Sequence, residues 1–201
     1  CTIMDYFGMC LTGRKKPVVH VSNAAGFGFF DGRNMKFETE KLSKMGVKET
    51  WLPEVCTGIE KLGLYRNRQV TTAIGDNQAS FLGAAGKEEN TLLVNMGTGG
   101  QISILSDQYF AEKGIEARPF LDGKYLLVGS SLCGGKSYAL LEQFFRRVVK
   151  AATGKDSSLY PVMEQFAKTG KEQSNRISED RKLKIRTTFD GTRTDPKSSG
   201  S

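Results

Sequence analysis

The chain has 201 residues, with 29 Lys+Arg against 22 Asp+Glu, a formal net charge of +7. A hydrophobic share of 38%, about 46% when the 23 Gly are counted and the 6 Tyr left out, is ordinary for a folded protein, which excludes disorder along the whole length. No apolar run reaches the roughly 18 residues of a membrane span, and the basic residues alternate with acids outside short runs such as Arg14-Lys15-Lys16, the pattern of a solvated face rather than of a nucleic-acid surface.

Ile3, Tyr6, Phe7, Cys10 and Leu11 recur at helical spacing, so residues 2–12 are expected to form an inward-facing helix ended by Gly13. Residues 22–30 mix small residues with aromatics before the Asp31-Gly32 turn, which predicts a loop or short strand. A short helix follows over 36–46, and after Trp51-Leu52-Pro53-Glu54 the chain reads as loop to residue 68. A β-rich run over 69–74 stops at Gly75-Asp76, and 77–85 reads as helix. Residues 91–96 and 101–105 read as strands joined by the tight turn Gly97-Thr98-Gly99-Gly100. Lys124 to Val128 supplies a further strand. Cys133-Gly134-Gly135 leads into a long amphipathic helix with Tyr138, Leu141, Phe144, Phe145, Val148 and Val149 as its expected buried stripe. Beyond a polar loop at 153–160, a short helix is expected over 161–168, a charged linker over 169–182 and one more strand over 183–188. The change of pattern at Gly86 to Asn90 marks a domain boundary, with residues 1–88 before it and 89–201 after it.

The chain does not begin with Met and its first residues lack the basic start and cleavage site of a secretory signal, so it reads as an internal piece of something longer. Cys1, Cys10, Cys56 and Cys133 are scattered, and His20 is the single histidine; no zinc site assembles from them, and reduced thiols in the cytoplasm are expected.

Three places carry chemistry. Asp76 stands where a strand gives way to a helix, which holds a carboxylate on rigid elements; it suits a general base, and it equally suits a helix cap. The turn Gly97-Thr98-Gly99 offers backbone N–H groups and a hydroxyl without bulk, the equipment of a phosphate-binding loop and also of many ligand-free turns. Gly134-Gly135-Lys136 opens a helix, where either an anion or close packing would account for the glycines. In this order, a strand-end carboxylate, a glycine turn and a Gly-Gly helix start are what a two-domain kinase cleft needs.

With these stand Cys1-Thr2-Ile3-Met4-Asp5-Tyr6, Leu11-Thr12-Gly13, Ser22-Asn23-Ala24-Ala25, Leu52-Pro53-Glu54, Gly75-Asp76-Asn77-Gln78-Ala79, Gly97-Thr98-Gly99, Gly134-Gly135 and Gly191-Thr192-Arg193-Thr194. In order and spacing the chain resembles the FGGY carbohydrate kinases nearly from end to end, and within them it is most similar to the sedoheptulokinases. The resemblance implies an α/β, actin-like ATPase (ribonuclease-H-like) fold of two domains flanking a catalytic cleft, each incomplete here: the end of a sugar-binding domain in 1–88 and the start of a nucleotide-binding domain in 89–201. It implies ATP-dependent phosphorylation of a ketose hydroxyl with Asp76 as general base and Asp76 and Asn77 on the sugar. ATP with Mg2+ would be held by Gly97, Thr98, Gly99 and Gly135, with no metal ligand in this segment. The family's Gly-Glu-Arg has Thr192 in place of its Glu here. Xylulokinase-, ribulokinase- or glycerol kinase-like activity, or a sensing module without catalysis, is the alternative. Sugar and ATP are the expected partners, without nucleic acid or membrane, and a homodimer is allowed.

Overall fold

The computed structural model describes residues 1–88, 90–174, 189, 191 and 197. The expected strand over 183–188 and the block at 192–194 therefore lie outside the described residues. Two compact units form: residues 1–94 with 102–129, and residues 95–101 with the chain from 130 onward.

The first unit opens with α1 (Ile3–Thr12), whose start is fixed by a reciprocal cap. The Asp5 N–H donates to the Thr2 hydroxyl oxygen, and Asp5 Oδ2 accepts from the Thr2 N–H at 2.8 Å. Gly13 ends the helix in the left-handed conformation. Contrary to the expectation of an inward face, Ile3, Met4, Tyr6 and Phe7 are exposed, and the buried residues of α1 are Asp5 and Gly8. The helix packs through its smallest residue, Gly8, where a Cβ would lie 3.0 Å from Leu62 Cδ1.

Next come β1 (Val18–His20) and α2 (Val21–Ala24), the latter in place of the loop or strand expected at 22–30. The His20 side chain accepts the Ser22 N–H and caps that short helix, a signal that composition does not carry. β2 (Phe30–Asp31) pairs with β3 (Lys36–Phe37), and α3 (Thr39–Lys44) is shorter than the helix expected over 36–46. β4 (Glu54–Cys56) runs parallel to β1, and β5 (Lys61–Tyr65) pairs antiparallel with β6 (Arg68–Thr71) through positive-φ Arg66 and Asn67. Both β4 and β5 fall in a stretch that reads as loop: one has three residues, and the other carries a register shift between Lys61 and Gly63.

α4 (Asp76–Ala85) leads to a four-stranded sheet of β7 (Leu92–Met96), β8 (Gly100–Ser106), β9 (Glu116–Pro119) and β10 (Tyr125–Ser131), in the order β7-β8-β10-β9. β9 escaped sequence reading because Glu-Ala-Arg-Pro has little β propensity; at the sheet edge its proline disturbs no inner ladder. The core that seats α4 joins Phe81 to Leu105, Phe120, Leu121, Leu126 and Val128, with the Phe81 and Phe120 rings edge to face at 5.9 Å. Burying Phe81 contributes roughly 1.5–3 kcal/mol, which anchors the helix that carries Asp76.

The second unit contains the 97–99 turn, α5 (Gly135–Thr153) and α6 (Tyr160–Ser174). The stripe expected to be buried on α5 is open: Tyr138, Leu141, Phe144, Phe145 and Val148 are exposed and Val149 is half-buried. An apolar stripe is buried only where a second layer lies over it; the Tyr138 ring of α5 meets the Tyr160 ring of α6, their centroids 5.6 Å apart. The residue of α5 that is buried is Glu142, whose Oε1 accepts the Leu159 N–H at 3.0 Å.

Gly134 and Gly135 lie against the turn. The Gly135 N–H donates to Gly97 O and the Gly134 N–H to Thr98 O, both at 2.8 Å. A Cβ at Gly134 would stand 2.5 Å from Gly99 O and 2.8 Å from Gly97 O, backbone atoms that cannot swing aside. Gly134→Ala is therefore expected to destabilise the protein by about 1–3 kcal/mol, read by urea unfolding. Gly83→Ala, inside α4 with open space at its Cβ, is the control and should stabilise by about 0.5–1 kcal/mol.

Candidate functional site

In the first unit the chain leaves β6, runs through residues 72–75 and turns into α4. Two neighbouring residues of α2 hold this crossing. The Asn23 side-chain amide donates to Ala73 O at 3.0 Å, and the Ser22 hydroxyl oxygen accepts the Gly75 N–H at 2.9 Å. Gly75 is the cap residue of α4 and provides no side-chain cap, so Asp76 stands at the first helical position rather than at the cap.

The Asp76 side chain is exposed, and its Oδ1 accepts the Asn77 N–H at 2.7 Å. Asn77 is half-buried, and its Oδ1 is buried with no hydrogen-bond partner. Gln78 is buried and donates to Pro119 O at 2.9 Å, tying α4 to β9. Both Asp76 and Asn77 line an open cleft of about 1040 Å³. Tyr109, Glu116 and Arg118 line the same cleft, with Arg118 Nη2 2.7 Å and Nε 3.1 Å from Glu116 Oε2. These three escaped sequence reading because β9 and the segment before it carry no motif; the alternation of Glu116 and Arg118 along one strand was the available sign.

Chemically, the cleft offers a carboxylate on a rigid helix start, an unsatisfied carbonyl acceptor beside it and a charged pair in its lining. That combination can orient a polyhydroxylated ligand and remove a proton from one of its hydroxyls.

The remaining sequence-derived site residues gather in the second unit. Gly97 and Thr98 are exposed and Gly99 is half-buried; the Gly97 N–H donates to Gly99 O at 2.9 Å, and Gly135 closes on the turn from the start of α5. The turn's carbonyl oxygens thus face the N–H groups of the helix start. Close packing of backbone on backbone therefore accounts for glycine at 134 and 135, whether or not a phosphate binds nearby.

No cluster of three or more His, Cys, Asp or Glu able to hold a metal ion occurs among the described residues. The four cysteines are free; burial pushes the Cys56 thiol up to about 11, so it stays protonated. No helix among the described residues is long and apolar enough to cross a membrane.

No family model matches the chain. A sedoheptulokinase from Mus musculus is 28% identical over 69% of this chain and 32% of its own length, and one from Homo sapiens is 26% identical over the same shares. The chain thus spans about a third of the length of these curated relatives. Among solved structures, a xylulose kinase from Rhodospirillum rubrum covers all of this chain and 41% of its own, with a TM-score of 0.70 at 20% identity. The fold is that of the sugar kinases. A xyloylose kinase from Brucella ovis agrees, with a TM-score of 0.59 and 25% identity over 70% of this chain and 30% of its own. Sequence and fold therefore both bear out the resemblance to carbohydrate kinases, and the actin-like architecture expected from it.

His20 sits beneath this site, fully buried; its Nε2 is 3.0 Å from Thr57 O and its Nδ1 2.7 Å from Ser22 Oγ. Burial favours the neutral ring and lowers its pKa, against opposing pulls from the Thr57 carbonyl and Asp122. An unfolded chain protonates its histidine near pH 6.5 while the folded chain refuses the proton, so stability falls as pH drops below about 6.5. Half-buried Asp31, held low by Asn34, and exposed Asp156, held low by Lys150 and Arg146, act only at lower pH, near the ordinary carboxylate range. Unfolding followed from pH 7.5 to 5 should show that decline, and His20→Gln should flatten it; an equal decline in the variant would assign it to other groups.

Proposed function

We propose that this chain is part of an ATP-dependent carbohydrate kinase in which Asp76 is the general base. Residues 1–88 contribute to the sugar-binding domain and 89–201 to the nucleotide-binding domain. The observation that carries the reading is the pairing of an exposed carboxylate, Asp76, with the unpartnered carbonyl oxygen of Asn77 at one wall of the cleft. A buried acceptor without a partner is costly unless something supplies a hydrogen, and a sugar hydroxyl does so.

In the reaction a sugar hydroxyl oxygen attacks the γ-phosphorus, the bond from that phosphorus to the β,γ-bridging oxygen breaks, ADP leaves, and the hydroxyl proton passes to Asp76. Asn77 accepts a hydrogen bond from a second hydroxyl and so orients the first. Phosphoryl transfer asks the protein mainly for positioning and charge stabilisation. Gly97, Thr98, Gly99 and Gly135 are the residues assigned to the triphosphate, where glycine lets a backbone approach closely. Mg2+ arrives with ATP as part of the substrate, and no residue of this chain is assigned to it. Hard cations of this kind are held mostly by phosphate oxygens and water.

A ketose of the sedoheptulose type is the preferred acceptor in this reading, ahead of xylulose, ribulose, glycerol and gluconate. Sugar and ATP are the partners, with no nucleic acid or membrane, in a cytoplasmic enzyme for which a homodimer is allowed. The test is a panel of ketoses and polyols assayed for sugar-dependent ADP formation by the enzyme that carries this chain. Asp76→Asn should lower kcat on the order of 10²–10⁴-fold with sugar KM little changed. Near-normal turnover in that variant removes Asp76 from the role of base.

A further inference from the structure

Beneath Asp76 runs a directed line of hydrogen bonds. Thr57 O lies 3.0 Å from His20 Nε2, and a carbonyl can only accept, so Nε2 carries the hydrogen. In the neutral ring Nδ1 is then an acceptor, and it faces both the Ser22 N–H at 3.2 Å and the Ser22 hydroxyl at 2.7 Å. The hydroxyl hydrogen of Ser22 therefore points at His20. Its lone pairs are left toward the Gly75 N–H at 2.9 Å, one residue before Asp76.

That single bond reaches the site by a short covalent path. Gly75 caps α4 without a side chain, so the Ser22 hydroxyl is what fixes the peptide entering the helix. On the other side of Ile74, Asn23 holds Ala73 O. The approach is close enough that a Cβ at Gly75 would lie 2.6 Å from Gln78 Oε1 and 3.5 Å from Ser22 Cβ. His20 is fully buried, Ser22 is half-buried, and β1 and α2, which carry them, belong to the packed core of this unit.

We propose that Ser22 is a positioning residue for Asp76: oriented by His20, its hydroxyl holds the Gly75 N–H and so sets the direction from which the Asp76 carboxylate meets the sugar hydroxyl. Ser22 itself touches no reacting atom. The proposal rests on the reading of Asp76 as the base. Misplacing a reacting group by about 1 Å lowers turnover about 10²-fold, so loss of this restraint acts on kcat rather than on sugar binding.

The experiment measures kcat and sugar KM for Ser22→Ala, Asp76→Asn and the double variant in the kinase that carries this chain. Ser22→Ala should lower kcat about 10- to 100-fold with KM nearly unchanged, and it should cost little more once Asp76 is already Asn, because one residue acts through the other. An equal loss from Ser22→Ala in both backgrounds would assign Ser22 a general structural role and overturn the proposal. Should Ser22→Ala fold poorly, Ser22→Thr and Ser22→Val separate hydroxyl from shape: Thr should turn over at least about tenfold faster than Val, and equal rates would overturn the proposal. If Asp76→Asn is inactive while Ser22→Ala turns over normally, this inference alone fails; if Asp76→Asn turns over normally, the assignment of the base fails.

Discussion

The arrangement around Asp76 depends on one constraint: a strand end must turn into a helix within four residues while its backbone polar groups stay satisfied. Thr72 is held by Glu60, its N–H donating to Glu60 O at 2.9 Å and its hydroxyl oxygen accepting the Glu60 N–H at 3.0 Å, and α2 holds Ala73 and Gly75 through the Asn23 amide and the Ser22 hydroxyl. The Ser22 bond falls on Gly75, whose missing side chain leaves room for both Ser22 and Gln78. Phe81, sunk among Phe120, Leu121 and Leu126, then fixes the helix at its middle. The carboxylate is exposed, yet its base is held by buried groups, which is how a reactive side chain can be both accessible and rigid.

The second unit meets a different demand with the same residue type. At Gly134 and Gly135 the backbone of a helix start closes on the carbonyls of the 97–99 turn, leaving no room for a Cβ at Gly134. Glycines in such a place satisfy the donors of a helix start, four of which lack partners in any helix. The exposed apolar stripe of α5 shows the converse: an amphipathic sequence states which face wants a partner, and tertiary structure decides whether that face is covered.

What was legible in the sequence was whatever is written locally. The end of α1 at Gly13, the β7-turn-β8 segment, the start of α5 and the turn into a helix at Gly75-Asp76 all follow from neighbouring residues. The contributions that escaped are nonlocal. Ser22 reaches Gly75 across 53 positions and Gln78 reaches Pro119 across 41, and no pattern at either end announces the other. β4 is too short for alternation to register, and β9 is spelled in residues that rarely form strands. The part of the cleft lining formed by Tyr109, Glu116 and Arg118 was invisible for that reason, while Asp76 and Asn77 stood out through a run that resembles a motif of the carbohydrate kinases.

The central claim is that the Asp76 carboxylate meets the hydroxyl that becomes phosphorylated. A crystal structure of the enzyme carrying this chain, solved with its sugar bound, tests it most directly. The account predicts one Asp76 oxygen within about 3 Å of a single sugar hydroxyl, with Asn77 Oδ1 accepting from another. A sugar bound with all its hydroxyls beyond hydrogen-bond reach of Asp76, or seated away from this cleft, would contradict it.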